Sequence, residues 1–159
     1  MSTERILVQS SILPAFREAL IGAIGGIFPA SDPGVNVLSA GVEKNKKLIA
    51  DATAKGAKVI HGDPSIEEST KTRMAPIVVE GVKKGMDLYY TESFGPSVSL
   101  IPFETEEEAI EIANDTEYGE SWRPFMCSDR VNIGPGLSGA VFTESLSRGL
   151  RVAKQIETG

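Results

Sequence analysis

Ser97-Val98-Ser99-Leu100-Ile101-Pro102-Phe103-Glu104-Thr105-Glu106-Glu107-Glu108 sets an apolar, β-rich run directly against a helix start. Ser97 to Phe103 reads as a strand that is apolar along both faces, as parallel strands in α/β domains are. Thr105 with Glu108 three positions later forms a capping box, in which the threonine caps a free amide and the glutamate reaches back to a second. A helix is expected from there to about Asn114. A buried strand that feeds a capped helix points to a sheet covered by helices.

The same alternation extends outward. Toward the N-terminus, Pro76 to Glu80 and Lys58 to His61 read as short strands, the latter followed by a Gly62-Asp63-Pro64 turn. Residues 63–74 read as an exposed loop. Gly41 to Ala54 is a polar, charged helix closed by Gly56. Pro14 suits a first helical turn, and Leu13, Phe16, Leu20 and Ile24 follow at helical spacing. Gly25-Gly26 is expected to end that helix, with a loop from Phe28 to Gly34. Arg5 to Gln9 is a short buried strand. Toward the C-terminus, Ala140 to Thr143 is expected to be a strand. Ser145 then opens a helix with an apolar stripe of Leu146, Leu150, Ala153 and Ile156, and Gly159 at its C-terminal cap. The order β-α-α-β-β-β-α-β-α predicts an α/β fold with a mostly parallel sheet and flanking helices.

The chain's 159 residues suit one domain or a piece of a larger one. A net charge of −6 argues against nucleic acid and anionic membranes as partners, since both call for basic patches. Lys44, Lys46 and Lys47 make the densest basic run, too short for such a footprint. One cysteine, Cys127, cannot form an internal disulfide, and no apolar run reaches signal-peptide or membrane-span length. A cytoplasmic protein is the expectation. One histidine, His61, and one cysteine leave no set for a metal site. Gly134-Pro135-Gly136-Leu137-Ser138-Gly139 has the dinucleotide-fingerprint spacing, with Glu157 near the expected acidic distance. The context is wrong, because the motif should open a helix and the next residues read as a strand.

Thr91-Glu92-Ser93-Phe94-Gly95-Pro96 resembles the Glu-x-Phe-Gly-Pro signature of the NAD(P)-dependent aldehyde dehydrogenases. Arg5 to Gln9 is similar to the strand after that family's nucleophile. Lys55-Gly56-Ala57-Lys58-Val59 resembles a helix-to-strand corner of the same domain, and the match continues through Thr105 to Gly119 and from Leu137 onward. The resemblance implies that the whole chain, 1–159, is the C-terminal part of such a catalytic domain, with residues 120–136 as an unmatched insertion. Removing that insertion joins Gly119 to Leu137 and restores the family pattern. Gly119-Glu120-Ser121 and Pro135-Gly136 can be encoded with splice-donor and splice-acceptor sequences, so the segment is either a retained intron or a surface loop.

The resemblance also implies roles. Glu92 would bind the cofactor by accepting hydrogen bonds from the hydroxyls of the nicotinamide ribose, a task that suits a carboxylate's two oxygens. Phe94 would pack near the nicotinamide, and Gly95-Pro96 would fix a turn. In the family a cysteine thiolate attacks the aldehyde, hydride passes to the nicotinamide, and a glutamate activates the water that hydrolyses the thioester. Both groups would lie upstream of Met1, so no catalytic residue is assigned within this chain. Cys127 is far along the chain from the family's nucleophile position and is expected to be an ordinary free thiol. The expectation is therefore a fragment of an aldehyde-oxidising enzyme that is inactive alone and binds NAD or NADP weakly or not at all. It would pair with itself or with a full-length homologue. The alternative is a non-catalytic binding or subunit-interaction module derived from the same fold.

Overall fold

The computed structural model of the chain describes residues 3–28, 34–66, 70–115 and 138–157. The expectations for Cys127 and for the insertion at 120–136 fall outside these residues. The chain divides into two compact units, Met1–Pro102 and Phe103–Gly159.

The first unit is a mixed α/β layer, with a mostly parallel sheet flanked by helices. Strands β1 (Arg5–Gln9), β3 (Lys58–His61), β5 (Ile77–Glu80) and β6 (Ser97–Phe103) form one sheet in the order β1-β6-β5-β3. β5 and β6 run parallel, with Ile77 opposite Ser97 and Val79 opposite Ser99. β3 pairs antiparallel to β5 through a bulge between Val59 and His61. Alternation sends Val78, Val98 and Leu100 to one face, where Val8, Val78 and Leu100 form a buried cluster. Helix α1 (Leu13–Ile27) closes that face with Leu13, Phe16, Leu20 and Ile24, the spacing read from the sequence. Arg17 ties the helix to β5 with a two-pronged ion pair to Glu80, both contacts at 2.7 Å. Helix α2 (Ser39–Ala54) buries Val42, Asn45, Leu48, Ile49 and Ala52. It ends as expected at Ala54 and is closed by Gly56, whose φ of 101° suits a residue without a side chain.

Several elements differ from the sequence reading. Helix α1 runs through Gly25-Gly26 to Ile27, because glycine weakens a helix by only about 1 kcal/mol per residue and does not by itself terminate one. Helix α2 starts at Ser39, ahead of Gly41. Residues 63–74 are not wholly an exposed loop: β4 (Arg73–Met74) pairs antiparallel with β2 (Val35–Asn36), and Met74 is buried. Two-residue strands are too short to show a period. A short helix, α3 (Asp87–Tyr90), has no counterpart in the sequence pattern, and it buries Leu88 and Tyr89 next to the buried Met86.

In the second unit, α4 (Glu106–Asn114) starts at Thr105, whose hydroxyl accepts the Glu108 amide at 3.2 Å. Glu108 reaches back to the Glu104 amide at 2.8 Å, one residue before the cap. α5 (Leu146–Ala153) is capped by the Ser145 hydroxyl, which accepts from the Arg148 amide. Arg151 bridges α5 to α4 through both oxygens of Glu106, at 2.6 and 2.8 Å. The expected strand at Ala140–Thr143 is not formed. A strand needs ladder partners for its backbone groups, and none pairs with 140–143 among the described residues. Nor does the last helix run on to Gly159: it stops at Ala153, and Leu146 and Leu150 of the expected apolar stripe are exposed.

Candidate functional site

Residues 91–96 connect α3 to β6, and each end of the connection is fixed by the backbone. The Thr91 amide donates to the Asp87 carbonyl at 2.9 Å, closing the short helix. At the other end the Ile77 amide donates to the Pro96 carbonyl at 2.9 Å, joining the loop to β5 where it pairs with β6.

Between these points a buried residue stands directly before an exposed one. Ser93 is fully buried, with 0% exposure, while Phe94 is 69% exposed. Glu92 is half-buried, and among the described residues its carboxylate has no hydrogen-bond or ion-pair partner. Phe94 has φ 49°, the one left-handed non-glycine backbone among the described residues. The side-chain ammonium of Lys44 lies 5.5 Å from the centre of its ring, within cation–π range.

The loop is held from behind by residues that the sequence reading did not single out. Glu4, just ahead of β1, receives the Ser93 amide on Oε2 and the Phe94 amide on Oε1, both at 3.1 Å. Asn45 of α2 is fully buried, and its carboxamide is used at both ends. Its nitrogen donates to the Gly41 carbonyl at 2.8 Å and the Ser93 carbonyl at 2.9 Å, and its oxygen accepts from the Ser97 hydroxyl. The Gly95 amide donates to the Ser93 hydroxyl at 3.3 Å. A polar residue at a buried helical position, Asn45 among Val42, Leu48 and Ile49, is the signal that could have revealed this arrangement.

The part expected of Gly95 changes accordingly. The left-handed backbone belongs to Phe94, and the φ of Gly95 is not positive. Glycine is required at 95 for space: a Cβ there would stand 2.7 Å from Asn45 Cγ and 2.8 Å from Oδ1.

The site thus offers, on one anchored stretch of backbone, a carboxylate without a partner among the described residues and an exposed aromatic face. A carboxylate can accept from two neighbouring hydroxyls, and an aromatic face can cover a planar ring. These features fit a nicotinamide riboside: Glu92 would hold the ribose and Phe94 would face the ring. His61 is half-buried in β3. Among the described residues no group of three or more His, Cys, Asp or Glu side chains could hold a metal ion, and no helix is long and apolar enough to cross a membrane. A cavity of about 330 Å³ is lined in part by Lys46, Asp63, Lys71 and Met74, and by none of residues 91–96.

Comparison with known proteins shows the family of the chain. Residues 1–123 match the model of the aldehyde dehydrogenase family. Mitochondrial succinate-semialdehyde dehydrogenase of Oryza sativa is 35% identical over 161 residues, a match that covers 98% of this chain and 27% of the relative. The crystal structure of Staphylococcus aureus betaine aldehyde dehydrogenase in complex with NAD+ superposes with a TM-score of 0.76 at 30% identity, covering 98% of this chain and 29% of that one. Succinic semialdehyde dehydrogenase of Streptococcus pyogenes, solved with NADP+, gives 0.74 at 25% identity, with 98% and 32% coverage. The chain spans less than a third of the length of each of these relatives.

Proposed function

The chain belongs to the aldehyde dehydrogenase family, and from that premise we propose that it supplies the nicotinamide-riboside-facing part of an enzyme that oxidises an aldehyde to a carboxylic acid with NAD or NADP. The observation that carries this reading is the Glu92 carboxylate, partly exposed and without a partner among the described residues, two positions before the exposed ring of Phe94 on the same loop. Glu92 would accept hydrogen bonds from the ribose, and Phe94 would orient the ring face and shield it from water. The bound nicotinamide supplies the hydride acceptor.

Residues 1–159 taken by themselves are proposed to lack aldehyde-oxidising activity. Its single cysteine, Cys127, does not stand at the family's nucleophile position, and removing such a group costs several orders of magnitude in rate. NAD(P) binding is accordingly weak, and pairing with a second copy or a full-length homologue is part of the same proposal. A cytosolic setting is also proposed, on the strength of the lone cysteine. The test is a paired assay of the purified chain. Aldehyde oxidation with NAD or NADP should be undetectable and unaffected by Cys127→Ser, while amide resonances of residues 91–95 should shift on addition of NADH or NADPH. Turnover that Cys127→Ser abolishes would overturn the inactivity. Cofactor-induced shifts confined to other residues would overturn the assignment of the loop.

A further inference from the structure

Glu92 and Phe94 flank Ser93, and the Ser93 peptide is gripped at both ends. Its amide, with that of Phe94, enters the Glu4 carboxylate, and its carbonyl accepts from Asn45. We propose that Glu4 and Asn45 are the positioning residues of the cofactor-facing loop. This inference rests on the function proposed above and extends it to two side chains that do not themselves face the ligand.

The argument begins with Phe94. A left-handed backbone is unfavourable for a residue with a Cβ and persists where the surroundings over-determine it. Left-handed geometry turns successive N–H groups toward one point, where they make a concave site for an anion. Here the anion is internal. Glu4 fills the site with one oxygen per amide, and hydrogen bonds to a charged acceptor are the stronger kind. Glu4 is itself registered against the sheet, because its carbonyl accepts the Ser99 amide at 2.9 Å.

Asn45 completes the grip from α2. The Ser93 carbonyl requires a donor and the Ser97 hydroxyl requires an acceptor, and a carboxamide provides both at one buried point. An aspartate there could not donate, and an apolar residue could do neither. The two side chains together fix the peptide that separates Glu92 from Phe94. They therefore set where the carboxylate and the ring stand, while leaving both open to a ligand.

The test combines amide hydrogen exchange with NADH titration, both followed by NMR on the full chain. Glu4→Ala should speed exchange at Ser93 and Phe94 by roughly tenfold or more, with exchange in β5 and β6 nearly unchanged. The same variant should weaken NADH binding, read from the shifts of Glu92 and Phe94, by about tenfold. Glu4→Gln keeps the shape but places a donor where an acceptor stood, and it should fall between the two. Asn45→Asp keeps the volume and removes the donor, and it should mobilise the same two amides; if it does not fold, the Glu4 variants still decide. Unchanged exchange at Ser93 and Phe94 in Glu4→Ala would overturn the clamp. Faster exchange with unaltered NADH affinity would reduce it to a structural tether and overturn the positioning role. A wild-type chain whose loop resonances ignore NADH would instead refute the proposed function, and the positioning role with it, whatever the exchange data show.

Discussion

Gly95→Ala is the sharpest test of the packing behind the loop. The added methyl would lie 2.7 Å from Asn45 Cγ and 2.8 Å from its oxygen, too close for any real contact. Asn45 cannot yield cheaply, because it is fully buried and its carboxamide bonds to Gly41, Ser93 and Ser97. Overpacking of this kind costs about 1–3 kcal/mol. A forced rotation of Asn45 would add about 1 kcal/mol for each neutral hydrogen bond lost. Against this, alanine restricts the unfolded chain and returns about 0.4–1 kcal/mol. The net expectation is destabilisation of about 1–3 kcal/mol, measured by urea unfolding followed by circular dichroism. Asn45→Ala removes the obstacle, so the cost of Gly95→Ala should fall by at least about 1 kcal/mol in that background, a coupling that a double-mutant cycle resolves. If the two substitutions are additive, or if Gly95→Ala is neutral by itself, the close approach of Asn45 is not what requires glycine.

Three other perturbations test different parts of the account. Glu92→Ala should change stability by no more than about 0.5 kcal/mol in the same urea assay, since the carboxylate is partly exposed and has no partner among the described residues; a large loss would expose a structural role. In the second unit, hydrogen bonding to Arg151 holds the Glu106 carboxyl below its ordinary value of 4.5. A depressed folded-state value means the pairing stabilises above that ordinary value and is lost as pH falls through the lower folded one. Protection of α4 and α5 amides should therefore decline on acidification below pH 4.5, and Arg151→Ala should flatten that decline; an unchanged acid profile in the variant would contradict the pairing. Phe142 and Leu146 are 95% and 78% exposed, and apolar exposure of that extent favours association. The chain should elute with a concentration-dependent size and bind an apolar dye, both reduced by Leu146→Glu, whereas a dye-silent monomer at all concentrations would contradict this.

The elements legible in the sequence are those long enough to carry a period or a cap. The stripe of α1, the glycine stop of α2, the apolar run of β6 and the Thr105 cap each stand on four or more residues and a local rule. What escaped is short or depends on distant residues. β2 and β4 are two residues each and exist through their mutual pairing. Ala140–Thr143 carries strand propensity, yet propensity does not form a strand without a ladder partner. The site divides in the same way. Glu92 and Phe94 are candidates from the sequence because a short motif holds them together. Glu4 and Asn45 are not, because Glu4 lies 89 positions from Ser93 and Asn45 lies 48 positions from it. No local pattern announces that a carboxylate before the first strand will receive two amides of a loop so far along the chain. Even the motif's glycine was misread from local rules, since its reason is a neighbour from another helix.

Saturation-transfer NMR of NADH with the full chain tests the central claim most directly, because it reports which end of a weakly bound dinucleotide meets the protein. The account predicts strongest saturation on the nicotinamide and its adjacent ribose protons, weaker saturation on the adenine, and loss of the ribose signal in Glu92→Ala. Saturation strongest on the adenine, or a ribose signal that survives Glu92→Ala, would contradict the assignment of residues 91–96 as the surface that receives the nicotinamide riboside.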